Sequence, residues 1–264
     1  MLQFFEWFWK AIGLTERLEM QAERSFQGFI YYRHIICLQD GKGNAAAAIF
    51  LAGILLCIVI PYLLGSLNAA IIISTGKYHD DIRNHGSGNA GMTNMTRVFG
   101  KKAMLMTLAG DVAKQFVSVL VGILLMGELG AYVAGLFCML GHIFPIYYHF
   151  KGGKGVLTAA AMVLCIDYQV FLIAMAIFMG TVLITRYISL GSIIAGFSLP
   201  GIVYASAALR GIYPSIPALG FAMFIGLTII IMHRSNIRRL MAGKESRFSF
   251  KKKPEVDVSG KSGQ

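Results

Sequence analysis

Charged residues are scarce in this sequence. Only 14% of its 264 residues are Asp, Glu, Lys or Arg, and 56% are hydrophobic, whereas about a quarter of the residues of a soluble domain are charged. The mean hydropathy is +0.64. This is more apolar surface than one aqueous core could bury. The apolar runs recur along nearly the whole chain after residue 45, which indicates a single all-α integral membrane domain.

Several motifs that would define other classes of protein are also missing. The four cysteines have no CxxC spacing and lie singly in apolar surroundings, which argues against a disulfide framework or a cysteine metal site: Cys37, Cys57, Cys138 and Cys165. No GxSxG elbow occurs, and no histidine begins an HxxxxD pair. His142 and His149 are seven residues apart without a third ligand, and no carboxylate-rich cluster is present, so we expect no metal ion.

The chain carries a net charge of +11. Its basic residues are separated by long apolar segments, so a continuous basic face is not expected and nucleic acid is not a predicted partner. The charge is better explained by membrane orientation and by anionic ligands.

Seven segments are candidates for membrane-spanning helices, each needing about 20 mostly apolar residues. They are residues 46–74, 102–126, 130–147, 155–167, 169–185, 188–208 and 215–232. The fourth is short and turns into the fifth around Asp167, so these two could be half-spanning or strongly tilted. We therefore predict a bundle of about seven transmembrane helices, with five to seven crossings.

The basic residues also predict how the chain is oriented. With seven spans and the N-terminus outside, the inward segments are residues 75–101, 148–154, 186–187 and everything from His233 onward. These segments hold most of the Lys and Arg residues, and the outward loops between spans hold only Arg210. The positive-inside rule therefore predicts a cytoplasmic C-terminus.

The two ends of the chain differ from the apolar domain, residues 45–247. Residues 1–44 carry as many acids as bases and begin with an aromatic cluster, Phe4, Phe5, Trp7, Phe8 and Trp9. No basic segment precedes a long apolar one, so a cleaved signal peptide is not expected. We predict an interfacial helix that ends near residues 39–41, and a partner-binding role stays open. Residues 248–264 are predicted to be a flexible, basic cytoplasmic tail.

The first long polar loop contains a dense set of hydrogen-bond donors. Gly86, Gly88 and Gly91 let the backbone approach a ligand closely. Neutral side chains at Ser87, Asn89, Thr93 and Asn94 are followed by Arg97, whose planar guanidinium matches a phosphate group. This loop predicts a phosphate-binding site. The alternative is an ordinary solvated turn with a helix cap at Ser87 or Asn94.

The second polar loop runs from Gly141 and His142 to Gly155. Lys151 and Lys154 bracket Gly152 and Gly153 immediately before the next helix. We expect free backbone N–H groups and positive charge at this helix N-terminus, which together favour an anion. The GxxxxGK[ST] pattern of nucleotide-binding loops is not matched. Lysines that only anchor the chain at lipid headgroups are the alternative.

Three further features lie outside these loops. Asp111 and Lys114 are ionisable residues within a predicted span and share one helix face, so they either neutralise one another or shape a site. Arg186 and Ser189 lie at a polar break between two apolar stretches. The last span ends in the polar segment 233–240, which contains His233 and Asn236. Arg234, Arg238 and Arg239 in that segment are explained largely by inward anchoring.

These segments together resemble the acyl-phosphate-dependent glycerol-3-phosphate acyltransferases of bacteria, the PlsY type. The resemblance covers residues 46 to about 247 in the family's order. It rests on Gly65-Ser66, the segment from Ile82 to Arg97, Asp111 with Lys114, the segments 141–145 and 150–155, the segment 185–189, and His233, Asn236 and Arg239 with their neighbours. Each motif alone is modest, but their order is specific.

The resemblance implies transfer of a fatty acyl group from acyl phosphate to the 1-hydroxyl of glycerol 3-phosphate. The products would be lysophosphatidic acid and phosphate, in the first step of phospholipid synthesis. It also implies a bacterial cell membrane, an active site facing the cytoplasm, and no cofactor. Besides the two substrates, membrane lipids are expected partners, and contact with the enzyme that supplies acyl phosphate stays open.

The resemblance also assigns roles to residues. The implied substrate-binding positions are Ser87, Gly88, Asn89, Asn94, Arg97, Lys151, Gly152, Gly153, Arg186 and Ser189. The implied catalytic positions are His142, Lys154, His233 and Asn236, and His233 and Asn236 would position glycerol 3-phosphate. The hydroxyl proton has two candidate acceptors: a phosphate oxygen of the donor, or His142 or His233 as a general base.

This sequence departs from the family pattern at two places and in its extension. Gln115 replaces a usual Gly, and Lys244 stands where the family often has Thr in Gly-Thr-Glu. Residues 1–44 have no counterpart in the typical family member. Two other classes stay open from the residues alone: a transporter for a phosphorylated solute, which would be expected to show inverted repeats, and a noncatalytic scaffold that binds anionic lipid.

Overall fold

Helices form nearly all of the regular structure in residues 28–247, the part of the chain that the computed structural model describes. Within that range there are ten α-helices and no strand. Short 3-10 turns occur at Ile82–Asn84 and Ile146–Tyr148. The α-helices are α1 Phe29–Gln39, α2 Gly43–Ser66, α3 Ala69–Tyr78, α4 Met92–Phe99, α5 Lys101–Ile143, α6 Val156–Ile166, α7 Tyr168–Thr185, α8 Ile188–Leu209, α9 Ile216–Met232 and α10 Arg234–Met241.

Several of these helices are long and apolar enough to cross a membrane. In the described part of the chain they fall into four stretches: Gly43–Tyr78, Lys101–Tyr148, Tyr168–Thr185 and Ile188–Leu209. A fifth is added if α9 and α10, which meet at a bend of 57°, form one span. Large apolar side chains are exposed along the bundle, among them Ile184 at 85% and Phe197 at 75%. An apolar exterior of this extent is suited to lipid rather than to water.

The first predicted span, residues 46–74, is broken in the structure. Helix α2 ends at Ser66 and α3 begins at Ala69. The side-chain oxygen of Asn68 accepts a hydrogen bond from the N–H of Ile71 and so caps α3. The predicted segment does lie in one stretch, Gly43–Tyr78, that is long and apolar enough to cross a membrane, but its helix is interrupted, which an average of hydropathy does not register.

Helix α5 is a hairpin of two antiparallel arms, residues 101–125 and 128–143. The turn is made by Met126 and by Gly127, whose φ is 62°. A Cβ atom on Gly122 would lie 2.1 Å from the carbonyl oxygen of Gly130, so the arms approach closely only because both residues are glycines. The arms correspond to the predicted spans 102–126 and 130–147, although the second helix ends at Ile143.

Helix α2 packs against the second arm of α5 by the same device. A Cβ atom on Gly65 would lie 2.1 Å from the carbonyl oxygen of Cys138, and one on Gly141 would lie 2.3 Å from that of Tyr62. The two backbones are therefore nearly in contact. This close approach fixes the end of α2 beside the end of α5.

Helix α6 is too short to cross a membrane alone. Its 11 residues span about 16 Å at 1.5 Å per residue, roughly half of the hydrocarbon thickness. It ends at Asp167, whose carboxylate accepts hydrogen bonds from the N–H groups of Gln169 and Val170 and so begins α7. The turn predicted at Asp167 is therefore present.

Helix α1 ends at Gln39 with Asp40 as its C-cap, within the region where the extension was predicted to end a helix. It packs along the start of α2, with Nδ1 of His34 2.6 Å from the carbonyl oxygen of Ala46. Its location at a membrane interface stays a prediction. The predicted aromatic cluster and the predicted basic tail lie outside the described residues.

Candidate active site

Three connections between helices meet α10 and the segment that follows it at one end of the bundle. Arg83, in the loop before α4, donates to the carbonyl oxygen of Tyr148 in the loop before α6, over 3.1 Å. Lys154, at the end of that second loop, donates to the side-chain oxygen of Asn236 in α10. Ser189, at the α7–α8 junction, donates to Glu245 beyond α10 over 2.8 Å. Segments that are far apart in sequence therefore form one polar surface.

The first loop is organised around the buried amide of Asn94. The oxygen of Asn94 accepts the N–H of Ser87 at 3.0 Å, and its nitrogen donates to the carbonyl oxygens of Ile82 and His85. The amide is thus fully used inside the loop, and α4 is capped by Gly91 rather than by Ser87 or Asn94. The geometry argues against Asn94 as a direct substrate ligand and gives it a positioning role, since it fixes the backbone at Ser87.

Arg83 joins the two loops. Its guanidinium forms an ion pair with Asp81 at 2.6 Å and donates to the carbonyl oxygens of Tyr148 and Lys151. The hydrogen bond from Arg83 is the main reason why the pKa of the Asp81 carboxyl lies below its ordinary value. Because both partners stay charged near neutral pH, the two loops are held together throughout the physiological range.

The glycines of the second loop pack so closely against His142 that no side chain would fit at their positions. A Cβ atom on Gly152 would lie 2.1 Å from the carbonyl oxygen of His142, and one on Gly153 would lie 2.1 Å from Nε2 of the same residue. Their N–H groups donate to the carbonyl oxygens of Ile143 and His142. Gly152 and Gly153 therefore contribute no free N–H group to the N-terminus of α6. The N–H of Gly88 in the first loop is likewise occupied, by the carbonyl oxygen of His85.

Beneath this loop lies a buried cluster of Asp111, Lys114 and His142. The ammonium of Lys114 is 2.9 Å from Oδ1 of Asp111 and 3.0 Å from Nδ1 of His142. It also donates to the carbonyl oxygens of Gly65 and Leu67 at the break between α2 and α3. Lys114 therefore joins three helices and satisfies the carbonyl groups that the break leaves without helical partners. The two alternatives for the Asp111–Lys114 pair coexist: the charges neutralise one another, and the pair supports the site.

Lys154 begins a chain of polar contacts that ends at Arg239. Asn236 accepts a hydrogen bond from Lys154 and donates to Oε1 of Glu245 at 2.8 Å. The same oxygen accepts the hydroxyl of Ser189, and Oε2 pairs with Nε of Arg239 at 2.7 Å. Glu245 thus holds three side chains from two helices. These hydrogen bonds outweigh the effect of burial and lower the pKa of Glu245.

Positive charge accumulates around Lys154. Burial above all, and then the nearby guanidinium of Arg239, lower the pKa of Lys154 to about 8; Glu245 opposes them, and Arg97 adds a smaller lowering effect. A lysine is destabilised as a cation here because other cations are close and water is partly excluded. An incoming anion would remove both penalties. Basic side chains of α4, the second loop and α10 are therefore concentrated in one region. We call it the Lys154 region, and it consists of Arg97, Lys154, Asn236 and Arg239.

Several predicted ligands keep their donors available. In the described part of the chain, the side chains of Ser87, Asn89, Arg97 and Lys151 make no hydrogen bond or ion pair with the protein that would occupy them. Ser87 and Lys151 are also exposed. Donors that have no partner within the protein can bind an anion without first breaking an internal bond.

A cleft lies between the first and second loops. It has a volume of about 520 Å³ and is lined by Asp81, Arg83, Asn84, Gly88, His149, Lys151 and Gly152. Lys151 and Gly88 therefore face this cleft, whereas Lys154 faces α10. The predicted residues therefore divide between this cleft and the Lys154 region, with Gly152 and Gly153 in the loop between them.

The structure does not bring every predicted residue into these regions. Arg186 has a left-handed backbone conformation, with φ of 63°, at the C-cap of α7 and is exposed. Its guanidinium forms no hydrogen bond or ion pair with any other residue in the range 28–247. Ser189 takes part only through Glu245.

Two residues that matter in this geometry were not predicted as site residues. Arg83 lies within the segment from Ile82 to Arg97, and Glu245 is the Glu of the Gly-Thr-Glu pattern, but the sequence assigns neither a role. Glu245 is the single acid among the basic residues between His233 and Arg247, and that isolation was the available signal. Arg83 gave no such signal because its partners are backbone carbonyl groups.

The model of the glycerol-3-phosphate acyltransferase family matches residues 55–243. The chain belongs to this family. A glycerol-3-phosphate acyltransferase of Thermoanaerobacter sp. (strain X514) is 40% identical over 194 residues, which are 73% of this chain and 94% of the relative. That of Geobacter sulfurreducens is 41% identical over 197 residues, 74% of this chain and 97% of the relative.

Solved structures agree with the family. The crystal structure of PlsY, an integral membrane glycerol 3-phosphate acyltransferase, in its glycerol 3-phosphate form is 37% identical. It has a TM-score of 0.68 and the match covers 74% of this chain and 96% of PlsY. Its lysophosphatidic acid form gives a TM-score of 0.66 at 36% identity. The predicted family is confirmed, and with it an integral membrane enzyme that acylates glycerol 3-phosphate.

Proposed function

We propose that the region around Lys154 and the neighbouring cleft bind the two phosphate groups of one reaction. The substrates are an acyl phosphate and glycerol 3-phosphate. The observation that carries this proposal is the Lys154–Asn236–Glu245–Arg239 chain of contacts, with Arg97 nearby. These contacts join the second loop to α10. The three cations there, Lys154, Arg239 and Arg97, face one carboxylate, that of Glu245, so the region keeps a net positive charge. Lipid around the bundle lets an acyl chain approach without leaving an apolar medium.

Each phosphate has its own set of donors in this proposal. Ser87, Asn89, Arg97 and Lys154 bind one phosphate, and Lys151 with the adjacent cleft supports the other. Asn236 and His233 orient glycerol 3-phosphate. Arginine is suited to this task because its fork of N–H groups matches two phosphate oxygens. Asn94, Gly152, Gly153, Ser189 and Arg83 hold these donors in place.

The reaction is an acyl transfer in which the 1-hydroxyl oxygen attacks the carbonyl carbon of the acyl phosphate. The new ester C–O bond forms, the bond between carbonyl carbon and phosphate oxygen breaks, and phosphate leaves. Cations near the phosphate stabilise the negative charge that it gains as it leaves. The hydroxyl proton moves to an oxygen of that departing phosphate, so all atoms and charges are accounted for.

The histidines orient groups in this mechanism and do not take the proton. His142 is 3% exposed, with Nδ1 next to Lys114 and Nε2 against Gly153, so a substrate hydroxyl cannot reach it without moving the loop. His233 has Nδ1 2.8 Å from the carbonyl oxygen of Ile229. This contact places a proton on Nδ1 and leaves Nε2 as an acceptor for a hydroxyl. Burial, with a smaller contribution from the nearby Lys154 cation, lowers the pKa of His233 to about 4, so the imidazole is neutral near pH 7.

One assay tests the proposed donor and the site together. Purified protein is mixed with palmitoyl phosphate and radiolabelled glycerol 3-phosphate, and lysophosphatidate and phosphate are measured. We expect equal amounts of both products, none with palmitoyl-CoA or palmitoyl-acyl carrier protein, and a loss of at least a hundredfold in Lys154→Ala. Product from palmitoyl-CoA alone would contradict the proposed donor, and unchanged activity in Lys154→Ala would contradict the proposed site.

We also propose that the site faces the cytoplasm of a bacterial cell membrane, with the start of α2 outside. The basic residues at this end of the bundle support that orientation. The loops before α4 and α6, the α7–α8 junction and the segment after α9 lie at the same end of the bundle. An even number of crossings therefore separates any two of them. This supports seven crossings in total, with α6 and α7 together leading away from that end and back. Reporter fusions at residues 44, 90, 128, 152, 212 and 250 test it. An external reporter at residue 90 or 152 would contradict the proposal.

A further inference from the structure

Three exposed lysines lie near the end of the bundle that carries the active-site loops. Lys77 is in the last turn of α3, and Lys101 and Lys102 form the start of α5. We call these three side chains the lysine patch. None of them belongs to the Lys154 region, and none lines the cleft between the first and second loops. The acyl transfer described above therefore gives the lysine patch no role.

The packing of α3 against α5 sets the lysines side by side. A Cβ atom on Gly110 would lie 2.7 Å from Cβ of Ala69, and the ammonium of Lys77 lies 3.7 Å from the sulfur of Met106. The two helices are antiparallel, because the contact position falls along α5 as it rises along α3. Lys77 follows Ala69 by eight residues and Lys102 precedes Gly110 by eight. The two lysines are therefore at the same level along the bundle.

The lysine patch stands on a packed apolar cluster. The ring of Tyr78 stacks on that of Phe99 with 4.4 Å between the centroids. The ammonium of Lys77 lies 5.9 Å from the centre of the Tyr78 ring. Phe99 and Ala103 are buried in the same cluster. Packing therefore fixes the backbone positions of the lysines, whereas their charged ends stay exposed.

No acid balances the charge of the lysine patch within residues 28–247. The carboxylates nearest to it in sequence, those of Asp80 and Asp81, pair with His85 and Arg83 instead. No ion pair in the described part of the chain involves a lysine of the patch. The patch also includes the first turn of α5, where the helix dipole adds positive potential. Three neighbouring cations without a counterion favour an anionic ligand.

An exposed apolar strip lies next to the lysine patch, on the side toward the membrane interior. It consists of Ile72, Leu105 and Met106, which are 44%, 57% and 36% exposed. Leu105 follows Lys101 by four residues, and Met106 follows Lys102 by four, so each lies one turn of α5 below a lysine. Positive charge above an apolar surface matches a phospholipid, whose phosphate lies above its acyl chains.

We propose that the lysine patch and the apolar strip bind one anionic phospholipid of the surrounding membrane. Its phosphate lies between Lys77 and Lys102, and an acyl chain follows Leu105 and Met106. A phospholipid fits better than a soluble phosphate because only the lipid also covers the apolar strip. The proposed substrate ligands lie elsewhere, so this lipid is a bound component of the membrane and not a substrate of the reaction.

Quenching of tryptophan by brominated lipids tests the proposal. The two tryptophans of the chain, Trp7 and Trp9, are replaced by Phe in the full-length protein, and Leu105→Trp places a single reporter in the apolar strip. The protein is reconstituted with phosphatidylglycerol and phosphatidylcholine, of which one at a time is brominated. Bromine quenches only at contact, so the ratio of the two quenching values gives the local preference for the anionic lipid. The matched reporter is Phe197→Trp on α8, where Phe197 is 75% exposed.

We expect a preference of at least about threefold for phosphatidylglycerol at residue 105 and no preference at residue 197. Replacing all three lysines of the patch by Gln should abolish the preference. A second triple variant removes the same charge from exposed bases of α10 and the segment after it and should keep the preference: Arg234→Gln, Arg238→Gln and Lys244→Gln. Equal quenching by the two lipids at residue 105, or a preference that both triple variants keep or both lose, would overturn the proposal.

A soluble anion is distinguished from a lipid by competition. Inorganic phosphate is added to the Leu105→Trp protein and compared with sodium chloride at the same ionic strength. We expect both salts to weaken the preference equally, because both only screen the lysines. Loss of the preference with phosphate alone would show a site for soluble phosphate and would contradict the lipid assignment. Retained acyltransferase activity in the reporter and triple variants shows that their fold is intact.

Discussion

The pKa of Lys154 leads to a specific pH dependence. Burial and the nearby guanidinium groups of Arg239 and Arg97 disfavour the cation and lower its pKa to about 8. Binding of a phosphate requires the cation, so activity should be high below pH 8 and should fall above it. The sign follows because a lowered lysine pKa moves the loss of charge toward neutrality.

The magnitude follows from the protonated fraction. With a pKa of about 8, roughly 90% of Lys154 is charged at pH 7 and roughly 10% at pH 9. The value of kcat/KM for glycerol 3-phosphate should therefore fall about tenfold over this range, because kcat/KM reports groups of the free enzyme. Glycerol 3-phosphate does not confound the decline, since a phosphate monoester with a second pKa near 6 is already a dianion above pH 7.

The assay measures lysophosphatidate formed at saturating palmitoyl phosphate between pH 6.5 and 9.5, with spontaneous hydrolysis of the donor subtracted. Lys154→Arg is the matched control, because arginine stays protonated throughout this range. It should be less active and should lack the decline near pH 8. A wild-type profile that is flat through pH 8, or a decline that persists in Lys154→Arg, would refute the reasoning.

Three further substitutions follow from the contacts. Gly153→Ala places a methyl group against Nε2 of His142. It should lower the free energy of unfolding by about 1–3 kcal/mol and greatly reduce kcat, as measured by thermal unfolding and kinetic assays. The control Gly180→Ala, whose methyl group meets nothing within 4 Å, should change neither quantity. Lys114→Met leaves the Asp111 carboxylate buried without its partner and should cost about 3–5 kcal/mol in denaturant unfolding; a loss under 1 kcal/mol would contradict this. Glu245→Gln removes the charge that Arg239 faces and should raise KM for glycerol 3-phosphate about tenfold while kcat changes less, and an unchanged KM would count against its positioning role.

Much of the fold could be predicted from the sequence because helix formation in a membrane depends on local apolar length. The predicted spans 102–126 and 130–147 correspond to the two arms of α5, and the short fourth segment corresponds to α6. The break at Asn68 was missed because it depends on a side-chain cap and on Lys114, which is 47 residues away from Leu67 in sequence. Contacts of this kind arise only when helices pack.

The candidate site was predicted in outline for a similar reason. Clusters of glycine, lysine and arginine are visible locally, and charge placement predicts that they share one side of the membrane. The sequence could not show which backbone N–H groups are occupied, and those of Gly152 and Gly153 prove to be used within the protein. It also could not distinguish a ligand from a positioning residue, as Asn94 and Glu245 illustrate.

The central claim is that loops far apart in sequence form one phosphate site, and the contact between Lys154 and Asn236 is its most direct expression. A double-mutant cycle on kcat/KM for glycerol 3-phosphate, with Lys154→Met, Asn236→Ala and the double variant, tests it. If the two side chains act on the same phosphate, kcat/KM of the double variant should lie within about twofold of that of the less active single variant. Losses that simply multiply would show independent roles and would contradict a single site.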